Sequence, residues 1–351
     1  MNEQLAHHVR RAEETIDATG TLPSHLLQEA FDEKLFKLFV PKALNGREED
    51  LVSGIRIFEE ASRLNGSFGW LVTIGTGGNA FVPYFEKEQC EERFSKREAV
   101  IAGSGFPAGK ATWDGEAYRV NGTWLYCSGS PYASMFTANC LVEGGPYDGN
   151  VRSFIMDPDE VMIEEDWDAI GLKGTGSHTI HVKDAVIPLA RTFFFTQLKN
   201  EYRTDVQTFP FLPFSQASFM AVVLGVADRF YEEMEVLVNN RLKDERKRRA
   251  EQLLLEGNRQ LQTIHEQFYA QLKTLWRFHT NGRVITKEEM EHFSNNVQRW
   301  NGSLVNQMND CMPALGMHGL LQRTALNRAW RDAMTASQHT YLVDPIDFDS
   351  L

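Results

Sequence analysis

At 351 residues, 42% hydrophobic and 24% charged, the chain has an ordinary soluble composition and length for two or three packed units. Its formal net charge of −12 argues against a nucleic-acid surface, because phosphate binding needs a basic face. Met1-Asn2-Glu3-Gln4-Leu5-Ala6-His7-His8 lacks the apolar core of a signal peptide, and no run approaches the ~20 apolar residues of a membrane span. Cys90, Cys127, Cys140 and Cys311 show no close pairing and no zinc spacing, so reduced, buried thiols in a cytoplasmic protein are expected.

The first part of the chain reads as helical. Leu5, Val9, Ala12 and Ile16 share one helical face, and Gly20-Thr21-Leu22-Pro23 ends it. Ser24 is placed to cap a helix starting at His25. The apolar run Leu35 to Pro41 predicts a buried, extended connector. Asp50 caps a third helix, along which Leu51, Ile55, Phe58, Ala61 and Ser62 recur. The glycines of Asn65-Gly66-Ser67-Phe68-Gly69-Trp70 and Gly75-Thr76-Gly77-Gly78-Asn79 imply close backbone approach, to another helix or to a ligand, packing being the commoner cause.

From Ala99 the pattern changes to short β-branched and aromatic runs separated by Gly, Pro, Asn and Asp. That spacing predicts an all-β unit, barrel or sandwich. Asp114-Gly115 centres a hairpin turn, Gly144 to Asn150 forms another, and Val151 to Met156 is a strand. His178 and His181 read as surface or turn residues. Beyond Phe209-Pro210-Phe211-Leu212-Pro213-Phe214 helical periodicity returns. One helix is expected from Met220 to about Lys247, a second from Ala250 to Asn281, and a third reaching about Cys311 behind the Thr286/Glu289 capping box. After Gly316-Met317-His318-Gly319 a last helix runs from Leu320 to about Ser337. The fold class is α+β multidomain: an N-terminal helical domain (1–98), a central β-barrel domain (99–200) and a C-terminal four-helix bundle (201–351).

This order of domains carries four motifs: Gly105-Phe106-Pro107-Ala108-Gly109, Asn121-Gly122-Thr123, Gly174-Thr175-Gly176-Ser177 and Gly316-Met317-His318-Gly319. Together they resemble the acyl-CoA dehydrogenase superfamily over nearly the whole chain. The resemblance implies a flavin, FAD or FMN, between the barrel and the bundle. It also implies a homotetramer, a dimer of dimers, with no nucleic-acid or membrane partner. It places Ser104, Gly105, Pro107 and Gly109 against the flavin ring and pyrophosphate, with Ser104 standing in for a hydroxyl that Gly105 lacks. It puts Tyr126 over one ring face, and Ser128, followed by Gly129, within reach of N5 or O4. Thr175 and Ser177 belong to the second signature of the β domain. Gly316 and Gly319 lie where a neighbouring subunit touches the nucleotide. The family's Arg-x-x-Phe-Gly, which holds the FAD pyrophosphate, is missing; Asn239-Asn240-Arg241-Leu242-Lys243-Asp244 stands there, which leaves FMN and FAD both open.

Two chemistries fit this resemblance. A dehydrogenase needs a carboxylate for the α-proton of an acyl-CoA. Counted from Arg331-Asp332-Ala333, that Glu position falls on Thr340, which cannot act as the base. A relocated carboxylate would be Glu232, Glu233 or Glu235. Trp330-Arg331-Asp332 followed by Ser337-Gln338-His339 is instead similar to the flavin-dependent monooxygenase branch, as is Asn65 to Trp70. That branch implies reduced flavin from a separate reductase, O2, and a small aromatic or heterocyclic substrate. His339 is then the catalytic candidate, as base or hydrogen-bond partner, because imidazole titrates near neutrality. Asn79 is a candidate polar contact on the substrate side. Phe193-Phe194-Phe195 and Phe209 to Phe214 serve the pocket wall or the core. A third class, a non-catalytic member kept for binding or assembly, is also open.

Overall fold

The computed structural model describes residues 1–343. Five helices open the chain: α1 (Glu3–Thr19), α2 (Ser24–Asp32), α3 (Leu51–Leu64), α4 (Gly66–Gly77) and α5 (Lys87–Phe94). The stripe Leu5, Val9, Ala12 and Ile16 is buried as the periodicity requires, and Asn2 caps α1 by accepting from Leu5 N. Asp50 accepts from Ser53 N at 3.1 Å and Asn65 from Phe68 N at 2.9 Å, so α3 and α4 each begin on a side-chain cap. The second helix differs from expectation. It begins at Ser24 itself, with Pro23 in the cap position and no side-chain cap bond. The connector after it is buried but not extended, because Leu35–Lys37 turns once as a 3-10 helix. The glycines of α4 serve packing: a Cβ at Gly69 would collide with Ser62 of α3, and one at Gly75 with Phe36.

Seven strands follow: β1 (Ile101–Trp113), β2 (Ala117–Cys127), β3 (Met135–Glu143), β4 (Val151–Met156), β5 (Met162–Glu164), β6 (His178–Pro188) and β7 (Thr192–Phe193). Their order is β5-β6-β2-β1-β3-β4-β7, with β1 and β3 parallel and the other pairs antiparallel. The sheet is mixed and open, with β5 and β7 at its edges, so the expected closed barrel is not formed among the described residues. β4 nevertheless touches β6 across the sheet, over a core that includes Tyr118, Trp124, Phe136, Phe154 and Ile180. The Asp114 turn is as expected: its carboxylate accepts from Glu116 N and Ala117 N. His178 and His181 lie in strand β6, not in a turn.

The remaining helices are α6 (Asp205–Thr208), α7 (Phe211–Asn240), α8 (Asp244–Thr280), α9 (Lys287–Leu315), α10 (Met317–Leu320), α11 (Ala325–Ala336) and α12 (Thr340–Val343). The Thr286/Glu289 box caps α9 reciprocally, at 3.3 and 3.0 Å. Gly316 ends α9 at φ 59, ψ −144, a conformation that a side chain disfavours. α7 begins well before Met220, because Pro213 falls in its first turn, where a missing N–H is tolerated. By length and composition α7 could cross a membrane, contrary to expectation, but 89% of its most apolar window is buried inside the protein. It packs against α3, α4, α8, α9 and α11. The N- and C-terminal helices thus share one hydrophobic core, running from Leu5 to Leu342.

Candidate active site

Four segments meet where α4, α11 and the sheet come together. α4 supplies Trp70, the end of β2 supplies Tyr126 to Gly129, the turn before β6 supplies Leu172 to Ser177, and the α11–α12 corner supplies His339. A line of hydrogen bonds joins the first three. Trp70 Nε1 donates to Ser128 Oγ at 2.9 Å; Ser128 Oγ lies 2.8 Å from Ser177 Oγ; Ser177 Oγ lies 2.6 Å from Thr175 Oγ1; and Thr175 Oγ1 donates to Leu172 O at 2.8 Å. Gly129 N donates to Thr175 O, and Gly129 holds φ 79, which favours glycine there. Ser128, Thr175 and Ser177 are buried polar groups with partners, as buried hydroxyls need.

The Leu172 turn is pinned from α11. Arg331 donates to Ile170 O at 2.6 Å and to both oxygens of Asp17 at 3.0 Å, while its Nε donates to Asn327 Oδ1. Leu172 N donates to Asp332 Oδ1 at 2.6 Å, and Gly171 N to Thr335 Oγ1 at 3.1 Å. A Cβ on Gly171 would overlap the Arg331 carbonyl. From the other side Ser67 of α4 accepts from Gly174 N. Burial pushes the Asp332 carboxyl up to about 7 even though it accepts from Leu172 N. Arg331-Asp332, which marked the way to His339 in the sequence, is therefore a clamp on the loop that carries Thr175 and Ser177.

His339 faces an apolar slot. Its ring stacks on Phe219 of α7 at 3.6 Å and lies 5.9 Å from the Trp70 ring and 5.4 Å from Tyr341. Burial among these rings pushes its pKa down to about 4. Tyr341 N donates to Nδ1 at 3.3 Å, so the neutral ring carries its proton on Nε2. At neutral pH His339 is a hydrogen-bond donor through Nε2. Acting as a base at Nδ1 means breaking the Tyr341 bond.

The other sequence-derived candidates divide. Gly105 to Ala108 leaves the sheet at a register shift in β1, and Phe106 is 73% exposed at its tip. Pro107 is in that exposed bulge, and Ser104 Oγ accepts from Phe106 N. Tyr126, on the adjacent strand, is 70% exposed, holds φ 63 and meets the edge of Trp167. A non-glycine residue in the left-handed region is a strained device found often at functional sites. These exposed rings suit a flat ring such as flavin. Gly109 does not belong to that surface: a Cβ there would strike Trp124 and Cys140 in the sheet core. Asn79 is also structural. Its amide accepts from Phe39 N and donates to Phe36 O, bracing the buried connector. Gly316 sits beside Arg246, and Gly319 is packed on Leu315 and Met312 with its carbonyl held by Asn327. No bond or ring contact among the described residues joins either one to Ser128 or His339. Phe219 and Tyr341 were missed because nothing in their spacing separates them from core residues.

Two of the three carboxylates proposed for a dehydrogenase are engaged in ion pairs, and the third, Glu235, is exposed to solvent. Glu232 pairs with Arg10 and Arg63, and Glu233 with Arg229. All four cysteines are buried and unpaired, and burial pushes each thiol up to about 12, so none is a nucleophile here.

The chain matches the model of the acyl-CoA dehydrogenase N-terminal domain over residues 1–96 and that of the C-terminal domain over residues 217–344. It belongs to the acyl-CoA dehydrogenase family. Among curated relatives, an indole-3-acetate monooxygenase of Pseudomonas putida is 24% identical over 324 residues, covering 88% of this chain and 81% of the relative. The crystal structure of a 3-HSA hydroxylase from Rhodococcus sp. RHA1 superposes with a TM-score of 0.90 at 21% identity, covering 98% of this chain and 92% of that one. TdsC from Paenibacillus sp. A11-2, solved with FMN and indole, gives 0.82 at 18% identity, covering 97% and 92%. At such identities the structural likeness fixes the fold.

Proposed function

We propose that this family member is the oxygenase component of a two-component flavin-dependent monooxygenase. It takes reduced FMN or FAD from a separate reductase and hydroxylates a small aromatic or heterocyclic compound with O2. The observation that carries this is His339: a neutral ring whose Nε2–H meets no acceptor among the described residues, set among aromatic rings and next to Thr340 where a dehydrogenase places its carboxylate. A carboxylate base is the one group α,β-desaturation cannot do without; of the alternatives in α7, Glu232 and Glu233 are engaged in ion pairs and Glu235 is exposed to solvent.

The chain's residues divide the work. Tyr126 and Phe106 offer ring faces on adjacent strands, and Ser104 and Ser128 offer hydroxyl oxygens. When bound, reduced flavin supplies the two electrons that let O2 give one atom to the substrate and the other to water. His339 Nε2–H donates to oxygen on the substrate side, and its surroundings exclude water. Phe219, Tyr341, Phe211, Phe195 and Tyr84 follow one another in ring contact away from His339, a wall suited to a planar apolar substrate. Phe211, at 40% exposure, reaches the surface. The domains 1–98, 99–200 and 201–351, a four-helix bundle in the last, homotetramer assembly and a cytoplasmic setting complete the reading.

The test is anaerobic titration with reduced FMN and reduced FAD, then addition of oxygen with indole or phenol present. Binding of a reduced flavin, and product carrying an atom from isotopically labelled dioxygen, is the expected result. Bleaching of bound oxidised flavin by an acyl-CoA thioester without oxygen would replace it with the dehydrogenase.

A further inference from the structure

Away from the candidate active site, α3, α7 and α8 pack pairwise and each brings one ligating side chain to a common point: Glu59, Asp228 and His265. Gly225, one turn before Asp228, lets α3 and α7 close up there, since a Cβ on it would overlap the Glu59 carbonyl. His265 Nε2 lies 3.3 Å from Asp228 Oδ2 and 3.5 Å from Glu59 Oε1, and the ligating atoms of the three residues all lie within 4.8 Å of one another. The three side chains are between 16% and 30% exposed, so the group sits at the rim of the helix core, where solvent and its ions reach it.

An ion pair does not account for these spacings. Elsewhere in the chain a histidine beside a carboxylate closes to a short bond, His8 Nδ1 to Glu29 at 2.9 Å and His181 Nε2 to Glu164 at 2.8 Å. That is the usual length, about 2.7–2.9 Å, of a charge-assisted N–H···O bond. His265 Nε2 carries one hydrogen at most and faces two carboxylates, and it has closed on neither. The spacings are instead those of atoms sharing one metal ion: zinc-class bonds of about 2.0–2.2 Å at the tetrahedral angle place ligand atoms roughly 3.3–3.6 Å apart. Charge agrees with this. Two carboxylates and a neutral imidazole balance a divalent cation, whereas a single imidazolium offsets only one of them. Arg56, the other cation beside the group, pairs with neither carboxylate; its guanidinium lies over the Tyr269 ring, 4.3 Å from the centroid. Tyr269, one turn on from His265 along α8, donates its hydroxyl to Glu59 Oε2 and thereby turns Oε1 toward the nitrogen.

We infer that Glu59, Asp228 and His265 form a binding site for a divalent transition cation of the zinc class, with water in the fourth position. One nitrogen and two oxygens suit that class, while calcium and magnesium take larger, all-oxygen sets. The bound ion staples α3, from the N-terminal part of the chain, to α7 and α8. The site shares no residue with the candidate active site and stands independently of the proposed function.

Cobalt(II) chloride is the probe, because a tetrahedral site gives cobalt visible bands far stronger than those of the six-coordinate aqua ion. The full chain, stripped with EDTA and freed of it, is titrated with cobalt(II), and zinc chloride is then added as competitor. One equivalent per chain is expected to raise the strong bands, zinc to abolish them, and saturating zinc to raise the thermal unfolding midpoint, because it binds the folded state. His265→Ala abolishes the bands. Glu59→Gln and Asp228→Asn, which keep the side-chain shapes, each weaken cobalt binding at least about tenfold, and Tyr269→Phe weakens it roughly tenfold by releasing Glu59. These near-isosteric variants decide the matter should His265→Ala fail to fold. His7, His8 and His25 form a separate histidine group near the N-terminus, with ring centroids 6.2 and 6.4 Å apart, so His8→Ala is the control and keeps the bands. A wild-type spectrum of six-coordinate cobalt alone overturns the inference. Bands that survive His265→Ala, are unchanged in Glu59→Gln and Asp228→Asn, or vanish in His8→Ala overturn it as well.

Discussion

The two walls of the candidate site are built on opposite principles. On the sheet side every polar atom is answered: three hydroxyls, an indole N–H and a carbonyl form one line, and α11 pins the turn that carries it. On the helix side His339 meets rings, and its one hydrogen-bond partner among the described residues is the Tyr341 N–H. The first wall gains rigidity from satisfied bonds; the second holds a titratable group neutral by starving it of water. Trp70 belongs to both, through its N–H on one side and its ring on the other.

The largest effect is expected from breaking the support of the polar wall. Arg331→Met keeps the volume of the side chain but leaves Asp17 and the Ile170 carbonyl without their donor. Removing one partner of a largely buried pair costs about 3 kcal/mol or more. Urea unfolding should show that loss. The aromatic wall should be intact in whatever remains folded, so the Phe219–His339 stack should persist.

Breaking the aromatic wall reads out in chemistry instead. His339→Ala removes the Nε2–H donor and leaves the Ser128 line untouched. A loss of roughly a hundredfold in coupled hydroxylation is expected, as for removal of one positioned proton donor, with reduced flavin binding within about twofold of wild type. Product yield per flavin oxidised is the measurement, and a yield unchanged from wild type would remove His339 from the chemistry.

The walls also carry opposite pH signs. His339 has its folded pKa pushed down to about 4, below the ordinary 6.5. Between those values the unfolded chain takes up a proton that the folded one refuses, so this group lowers stability as pH falls from 6.5 to 4. Asp332 is pushed from 3.8 up to about 7. There the folded chain holds a proton that the unfolded one releases, so this group lowers stability as pH rises from 3.8 to 7. Across pH 4 to 6.5 the two oppose each other and the pair contributes little net slope. Asp332→Asn should expose the His339 limb, with stability rising as pH rises. His339→Gln should expose the Asp332 limb, with stability falling over the same interval. Each slope is bounded by about 1.4 kcal/mol per pH unit, the value of one proton. Identical slopes in the two variants would show that neither wall holds its group neutral.

The polar wall was the more legible in sequence, because turns announce themselves. Gly171 to Ser177 and Tyr126 to Gly129 carry the glycines and hydroxyls that turn chemistry needs, in a recognisable order. The helix side was legible only at its tip. His339 followed a recognisable pair, but that pair proved to be a clamp on the opposite wall. Phe219 lies in α7, where nearly every residue is buried and no periodicity sets one phenylalanine apart. Asn79 and Gly109 looked like ligand-facing residues because a buried amide and a close-packed glycine leave the same trace in sequence whatever they approach. The helices were readable in part from caps at Asp50 and Thr286, whereas the Asn65 cap of α4 emerged only in the structure. The sheet was readable as strands but not as a topology, since the parallel pairing of β1 with β3 and the unclosed edge depend on contacts far apart in the chain.

The smallest effect is expected where the walls join. Trp70→Phe keeps a ring beside Phe219 and His339 and removes the N–H that begins the polar line, together with part of the indole's bulk. Ser128 still donates toward Ser177, because the Leu172 end sets the direction, so the line keeps its polarity and loses one bond. The expected cost is about 1 kcal/mol of stability for the lost hydrogen bond, with a further contribution from the volume that phenyl leaves unfilled. The His339 pKa should stay near its depressed value, since the ring that excludes water is retained. Trp70→Ala opens the slot as well, and should move the His339 pKa back toward the ordinary range while giving the same loss at Ser128. Imidazole resonances followed through a pH titration separate the two variants. A His339 shift in Trp70→Phe equal to that in Trp70→Ala would mean that the N–H, not the ring, governs the apolar wall, and that the two walls are one network.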